Sequence, residues 1–290
     1  MAELGYSRLK GSWWRLAKRY WAKQRYRLAR RLMGHYQLKD QDHVYNLAPT
    51  SFREFWRISG IYLKEAGTVE LIRSELREGD VFCDIGANIG LYSLMAAARV
   101  GATGQVYSFE PLAANFASLV ENVRLNGYCG RMTPFSLALT DSSGLFPFHY
   151  LRLEAGSSGS QLHEAVDDHE TSFAPLVTEM KYGASLDDLV ESGVMRAPDF
   201  IKIDVDGNEA RILRGMQRLL SGPNRPKVLS VEVNVREKDA LFGFMEAQGY
   251  AFAGRNDTMG VLRQINAGAD PEMVAYNAIF RPAESKAIAC

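Results

Sequence analysis

Cysteine is scarce: Cys83, Cys129 and Cys290 are three thiols in 290 residues, too few and too scattered for a disulfide framework. Without a Cys-x-x-Cys pair they read as buried small residues or free thiols, and a reducing compartment, by default the cytosol, is the expected setting. There is no apolar run of about 18 residues, so no membrane-spanning helix is expected. A short apolar core followed by a small-residue cleavage site is missing too, and no secretory signal is expected. The five histidines are dispersed, and with so few thiols no His/Cys cluster suggests zinc. Net charge is also missing: 34 Lys and Arg balance 34 Asp and Glu. What remains, 47% hydrophobic and 23% charged residues, is the composition of a soluble globular protein. The length suits one large domain, or a domain of about 200–250 residues with an appendage.

The charge balance conceals an asymmetry. Residues 1–40 hold 11 Lys and Arg against Glu3 and Asp40, a net +9, which leaves the other 250 residues at −9. A basic arm on an acidic protein points to an anionic partner, a bilayer surface or nucleic acid. From Tyr6 to Met33 there is no proline and one glycine, Gly11, so one long helix or two shorter ones are expected. Tyr6, Leu9, Trp13, Ala17 and Tyr20 recur at helical spacing, while Arg8, Arg15, Lys18, Arg19 and Arg25 lie mostly off that stripe. Such a helix suits a membrane interface; the same stripe equally suits packing on the protein's own domain. The expected organisation is a basic aromatic arm over 1–40, a mostly helical bridge over 41–78, and a main domain over 79–290.

In that domain short apolar runs alternate with helical patterns. Val81–Ile85, Gln105–Phe109, Thr133–Leu139, Phe200–Val205 and Val228–Val233 read as buried parallel strands. Helical patterns fall at Leu91–Arg99, Ala113–Asn126, Glu209–Leu220 and Lys238–Gln248, which predicts a doubly wound α/β sheet. Two more runs, Tyr250–Ala253 and Val274–Phe280, have no helix-length pattern between them, as for a final antiparallel strand. Residues 140–181 break the rhythm with a turn at Asp141–Gly144, a strand candidate at Leu145–Leu153, a small-residue loop at Gly156–Ser160 and an acidic stretch at Glu164–Glu170. An excursion of that length is the candidate acceptor-side element.

At Asp84-Ile-Gly86-Ala-Asn88-Ile-Gly90 a strand passes into a helix. The glycines allow a sharp turn and close approach of a ligand, and the helix N-terminus offers free N–H groups to a carboxylate or phosphate. A dinucleotide fingerprint needs glycine where Asn88 stands, so a smaller ligand with a carboxylate fits better than a pyrophosphate. Glu110, at the end of the second strand and 20 residues past Gly90, is placed to accept from both hydroxyls of a ribose.

The runs VFCDIGANIGLYSLMAA, VYSFEPLAANFASLVENVRLNG, LALTDSSG and FIKIDVDGNEARILRGM resemble the FkbM family of class I methyltransferases over about residues 60–282. The closing YNAIFRP and the GSSGSQL stretch are similar to that family as well. The resemblance implies a Rossmann-like, seven-stranded, mostly parallel sheet in order 3-2-1-4-5-7-6 with strand 7 antiparallel, here with an N-terminal helical extension. It implies S-adenosylmethionine as methyl donor and O-methylation of sugars, glycans or polyketide-type products. By matching positions, Asp84, Gly86, Ala87, Asn88 and Gly90 would cradle the amino-acid part of the donor and Glu110 the ribose. Asn115 and Asp141 match weaker positions; Asp141 would accept from the adenine amino group or simply close a turn. The arm has no counterpart in the family pattern.

An alcohol is a poor nucleophile near neutrality and needs a base, or a metal ion, as it attacks. KIDVDGNE delivers Lys202, Asp204, Asp206 and Glu209 to the carboxyl end of the sheet, where ligands of such folds bind. Asp204 is the first candidate base, with Glu209 a neighbour that would raise its proton affinity and Lys202 a partner on the same side of the strand. The alternative is an Asp206-Gly207 cap with Asp204 as a structural partner of Lys202. His163 is a further candidate base, ahead of His149 and His169, because histidine titrates near working pH. Asp204, Asp206, Glu232 and Asn234 are oxygen donors that Mg²⁺ accepts, although no metal is predicted. The expected partners are a hydroxyl-bearing glycan or glycolipid and, through residues 1–40, an anionic membrane face. Three rival readings carry less. A nucleic-acid methyltransferase would use the basic arm but lacks an Asp/Asn-Pro-Pro-aromatic motif, a non-catalytic interaction protein would not need the intact donor loop, and an NAD-dependent oxidoreductase is disfavoured by Asn88.

Overall fold

The computed structural model describes residues 20, 21, 24, 34–41, 43–166 and 171–283. Most of the expected arm helix therefore lies outside the described residues, as do His169 and Cys290. An antiparallel hairpin, β1 (Tyr36–Asp40) and β2 (His43–Leu47), leads into α1 (Phe52–Lys64) and α2 (Ala66–Glu75). The central sheet is built from β3 (Val81–Ile85), β4 (Gln105–Phe109), β5 (Met132–Phe135), β10 (Phe200–Ile203), β11 (Val228–Val233), β12 (Tyr250–Asn256) and β13 (Tyr276–Pro282). Its order is β12-β13-β11-β10-β3-β4-β5, with β13 antiparallel to both neighbours and the other pairings parallel. The sheet is mixed and mostly parallel, with seven strands in the order, and with the one antiparallel strand, that the resemblance implies.

Alternation along the strands sorts the sheet into two faces. On one, Phe82, Val106, Phe200 and Val228 pack with α1, α2, α3 (Leu91–Val100) and α4 (Ala113–Leu125). On the other, Cys83, Ile85, Phe109, Ile201, Ile203 and Val231 pack with α5 (Leu186–Glu191), α6 (Glu209–Arg214), α7 (Gln217–Ser221) and α8 (Lys238–Ala247). Burial on both faces is why these strands read as runs dominated by apolar residues. The hairpin joins the first face through Leu38, Tyr45 and Leu47. Asn126 of α4 fixes it by accepting from Asn46 N at 2.8 Å and donating to Asn46 O at 2.8 Å.

The excursion builds a second sheet, β6-β9-β7-β8, from β6 (Ala138–Leu139), β7 (Gly144–Tyr150), β8 (Gln161–Leu162) and β9 (Val177–Ala184). The expected strand Thr133–Leu139 is thus two strands in two sheets. Pro134 lies on the edge strand β5, where a missing N–H is tolerated, and the chain changes sheet before Ala138. Three further differences concern helices. Residues 36–47 form a hairpin where the arm and helical bridge were expected. The single helix expected over Glu209–Leu220 is α6 and α7, broken around Gly215. Between β12 and β13, where no helix was expected, stands α9 (Met259–Asn266), capped by Thr258, whose hydroxyl accepts from Val261 N.

Gly215 has a reason to be glycine, because a Cβ there would sit 2.0 Å from the carbonyl oxygen of Thr140. Gly243 within α8 meets nothing within 4 Å. Gly215→Ala is expected to lower the unfolding free energy by about 1–3 kcal/mol through overpacking. Gly243→Ala is expected to raise it by up to about 1 kcal/mol through helix propensity. Denaturant melts of the two variants beside wild type check both signs.

Candidate functional site

A polar row crosses the first face of the sheet near the carboxyl ends of its strands. Ser108, Asp84, Lys202 and Ser230 are register neighbours on β4, β3, β10 and β11. All four are buried, Lys202 at 2% and Asp84 at 0% exposure. The Lys202 ammonium lies 3.0 Å from Asp204 Oδ2, 3.6 Å from Asp84 Oδ1 and 5.0 Å from the centre of the Tyr92 ring. Ser93, in the first turn of α3, donates to Asp84 Oδ2 at 2.6 Å, and Ser108 donates to Ser93 at 2.8 Å. Burial works against the ammonium, but Asp204 and Asp84 outweigh it and hold Lys202 well above the usual lysine range. Burial raises Asp84 despite Lys202. For Asp204 burial also acts upward, yet the Lys202 charge prevails and keeps it below the usual carboxylate range.

Two residues further along, the same face opens into a cavity of about 180 Å³. Period-two alternation brings Gly86, Glu110, Asp204 and Glu232 to its wall from β3, β4, β10 and β11. Gly86 has φ +80, and a Cβ on it would meet Asp204 O at 2.0 Å, so only glycine lets the β3 turn and the β10 end approach. Gly86 N and Ala87 N donate to Phe109 O at 3.0 and 2.9 Å, which ties that turn to β4. The N-terminus of α3 faces the cavity through Leu91 and Tyr92, and its N-cap, Gly90, makes no side-chain cap. Glu110 accepts from Asn88 N at 2.7 Å and Leu112 N at 2.8 Å. Burial pushes its carboxyl up to about 7, with those two N–H groups acting the other way.

The serine-rich loop of the excursion closes one side. Asn88 and Asn115 both donate to Ser157 O, at 2.9 and 3.0 Å, and Asn115 accepts from Gly156 N at 2.7 Å. Asp206 accepts from Gly159 N at 2.8 Å. From the other side Ser51 donates to Ala155 O and Arg57 to Gly156 O, each at 2.6 Å. Asn88 and Asp206, which grip this loop from two strand ends, both have left-handed backbones, φ 51 and 60. The Ser157 hydroxyl is buried on the cavity wall with no hydrogen-bond partner.

Of the residues singled out from the sequence, Gly86, Ala87, Asn88, Glu110, Asn115, Lys202 and Asp204 share this cavity. Asp84 and Gly90 do not line it. Asp84 acts from behind through Ser93 and Lys202, and a Cβ on Gly90 would strike Leu119 at 2.4 Å. Asp141 lies away from the cavity, 3.5 Å from Arg214 and 3.9 Å from Arg211. Glu209 is buried and accepts from Val205 N and Gly207 N at 3.2 and 3.0 Å, a brace for the turn after β10. His163 is also elsewhere, its Nε2 2.9 Å from Thr140 Oγ1 and its ring 4.6 Å from that of Phe146. Burial, then Arg211, lowers its pKa.

The cavity also holds residues the sequence reading did not select for binding or catalysis: Arg57, Lys64, Tyr92, Thr258 and Asn277. Glu232 was read only as an oxygen donor for a metal. Its carboxyl is pushed up to about 10 by burial first and then by Asp204, Glu209 and Asp206. The signal for it is VEVN on β11, level with IDVD on β10. Among the described residues no group of three or more His, Cys, Asp or Glu is arranged to hold a metal ion.

The family model described as Methyltransferase FkbM domain matches residues 84–252. Hexuronic acid methyltransferase AglP of Haloferax volcanii is 29% identical over 198 residues, which is 68% of this chain and 74% of that protein. The 31-O-demethyl-FK506 methyltransferase FkbM of Streptomyces tacrolimicus is 29% identical over 199 residues, 61% of this chain and 74% of that one. Among solved structures, a methyltransferase FkbM from Methylobacillus flagellatus is similar with a TM-score of 0.49 at 17% identity, covering 79% of this chain and 52%, about half, of that one.

Removing the buried cation tests the polar row. Lys202→Met leaves Asp84 sealed without its counter-charge and is expected to lower stability by about 3–5 kcal/mol near neutrality. Asp84 is already raised in the folded chain, so without Lys202 the folded state favours its neutral form more strongly, and stability falls as rising pH ionises the unfolded carboxyl. The loss should therefore be smaller near about pH 5 than near about pH 8, measured by denaturant melts.

Proposed function

Because the chain belongs to the FkbM family of S-adenosylmethionine-dependent methyltransferases, we propose that it transfers a methyl group to a hydroxyl oxygen of a sugar, glycan, glycolipid or related natural product. The observation that carries this reading is the single cavity in which a donor-type loop and an ionised carboxylate meet. When bound, S-adenosylmethionine supplies a methyl group already activated on a sulfonium. The residues present fit it: a glycine turn that a Cβ would fill, an uncapped helix N-terminus and an unpartnered buried Ser157 hydroxyl lie along one side of the cavity. Gly86, Ala87, Asn88 and the α3 N-terminus would hold the amino-acid end, and Glu110 the ribose.

The rest of the cavity is left to the acceptor. Arg57, Lys64, Tyr92, Glu232, Thr258 and Asn277 offer polar groups of the kind that fix a sugar, and the two cations suit one with an acidic group. The substrates in the names of the two curated relatives, a hexuronic acid and 31-O-demethyl-FK506, support an oxygen acceptor of this class. Asp204 is the proposed proton acceptor, and Lys202 holds it ionised and oriented. Its lowered proton affinity makes it a weak base, so the hydroxyl proton moves late, as the new bond forms. The serine-rich loop and α1 exclude water above the reacting atoms. The arm over residues 1–40 is proposed to dock on an anionic membrane face and keep the cavity near a lipid-linked acceptor.

Donor binding and chemistry separate by titration and turnover. In its unliganded state Glu110 is protonated below about 7 and ionised above, and ribose hydroxyls are held best by the carboxylate. Affinity for S-adenosylhomocysteine should rise with pH through that value and then level off, and Glu110→Gln should be weaker and flat. Asp204→Asn should keep the donor affinity while lowering turnover by roughly 10²–10⁴. A pH-independent affinity equal in wild type and the Glu110 variant would mean that the ribose lies elsewhere.

A further inference from the structure

Helix α1 presents three faces. Glu54, Ile58 and Ile61 turn inward, and Arg57, Ile61 and Lys64 border the cavity. The third face carries Phe52, Phe55, Trp56 and Leu63 at helical spacing, and Phe52, Trp56 and Leu63 are 72%, 69% and 69% exposed. The aromatic rings contact one another along the helix, Phe52 6.3 Å from Phe55 and 6.2 Å from Trp56, with Tyr36 of the hairpin 5.7 Å from Phe55. Scattered exposed apolar residues need no explanation, but an ordered aromatic stripe on one helix does. A Ser51–Glu54 capping box fixes the helix start, and Ser51 and Arg57 bond the excursion, so the stripe is held rigidly beside the cavity.

We propose that this stripe inserts into the interface of an anionic lipid bilayer and seats the cavity against the membrane. It rests on the reading of the arm as a membrane contact only for the charge. The cations flanking the stripe are already paired, Arg53 with Glu154 at 3.0 Å and Lys64 with Glu65 at 3.1 Å, so the stripe itself supplies apolar burial rather than net charge. The attraction to a negative surface comes from the adjoining residues 1–40, with their net +9. Cations that draw the chain to the surface, next to Phe, Trp and Leu that sink into the acyl boundary, are the two parts of an interfacial anchor. A nucleic-acid partner would use the charge but leave Phe52 and Leu63 without a role.

The full chain with Trp13, Trp14 and Trp21 replaced by phenylalanine keeps Trp56 as its single indole. On adding phosphatidylglycerol–phosphatidylcholine vesicles, its emission should shift to the blue and be quenched by brominated acyl chains. In the otherwise native chain, Phe52→Ser with Trp56→Ser and Leu63→Ser should weaken vesicle binding at high salt by at least about tenfold, because screening spares apolar burial. Co-sedimentation with a silent Trp56 overturns the proposal and leaves the arm reading standing; no binding to anionic vesicles sinks both. A fall in melting temperature of the triple variant, or a dimer of wild type that the variant loses in analytical ultracentrifugation, would show the stripe covered by the protein's own chain or by a second copy, and either result overturns the proposal too.

Discussion

An ammonium group sealed inside a parallel sheet costs several kcal/mol unless opposite charge meets it in good geometry. Lys202 meets two carboxylates. Asp84 is its register partner on β3, and Asp204 lies two residues on, along the same face of β10. Satisfying Asp84 in turn recruits Ser93, which fixes the first turn of α3, and Ser108, which brings in β4. One buried charge thereby ties β10 to β3 and β4 and sets the angle at which the helix after the glycine turn begins. The ionisation and direction of Asp204 follow from it too. The proposed donor loop and the candidate base are two ends of one electrostatic arrangement, which is why one buried ammonium on the cavity wall controls so much of the site.

Much of the sheet was legible because its strands are buried on both faces. Val81–Ile85, Gln105–Phe109 and Val228–Val233 are short, mostly apolar runs, and the structure gives them those same bounds. The antiparallel final strand was legible from its position after Tyr250. Legibility failed where tertiary contact overrides local pattern. Nothing local says that position 215, beside the helix break, must be glycine; the reason is the Thr140 carbonyl, 75 positions away in sequence. The β1–β2 hairpin alternates too weakly to announce itself over five-residue strands, and what holds it is Asn126. Met259–Asn266 has apolar positions at helical spacing, but with only eight residues it is shorter than the other patterns read as helices and buries none of them in the core.

The site divides in the same way. Glycine, Asn88 and Glu110 advertise a ligand because each residue type suits a local backbone task. The left-handed backbone of Asn88 is one of these tasks, since asparagine tolerates it better than most side chains. Asp141 and His163 looked equally suitable by type, but their partners are Arg211, Arg214 and Thr140, which only the folded chain reveals. The contribution of α1 was not legible at all. It reaches the cavity by bonding the excursion about a hundred residues later, through Ser51, Arg53 and Arg57. With the serine-rich loop also gripped by Asn88, Asn115 and Asp206, four separate segments close over one cavity.

The most direct measurement is a crystal structure of the full chain with S-adenosylhomocysteine. The ligand's carboxylate should lie at Gly86–Ile89 and the α3 N-terminus, its ribose on Glu110, and its sulfur should turn toward Asp204 and Glu232, with room opposite bordered by Arg57 and Lys64. A ligand bound outside this cavity, or one whose sulfur faces away from Asp204 into a closed wall, would contradict that arrangement.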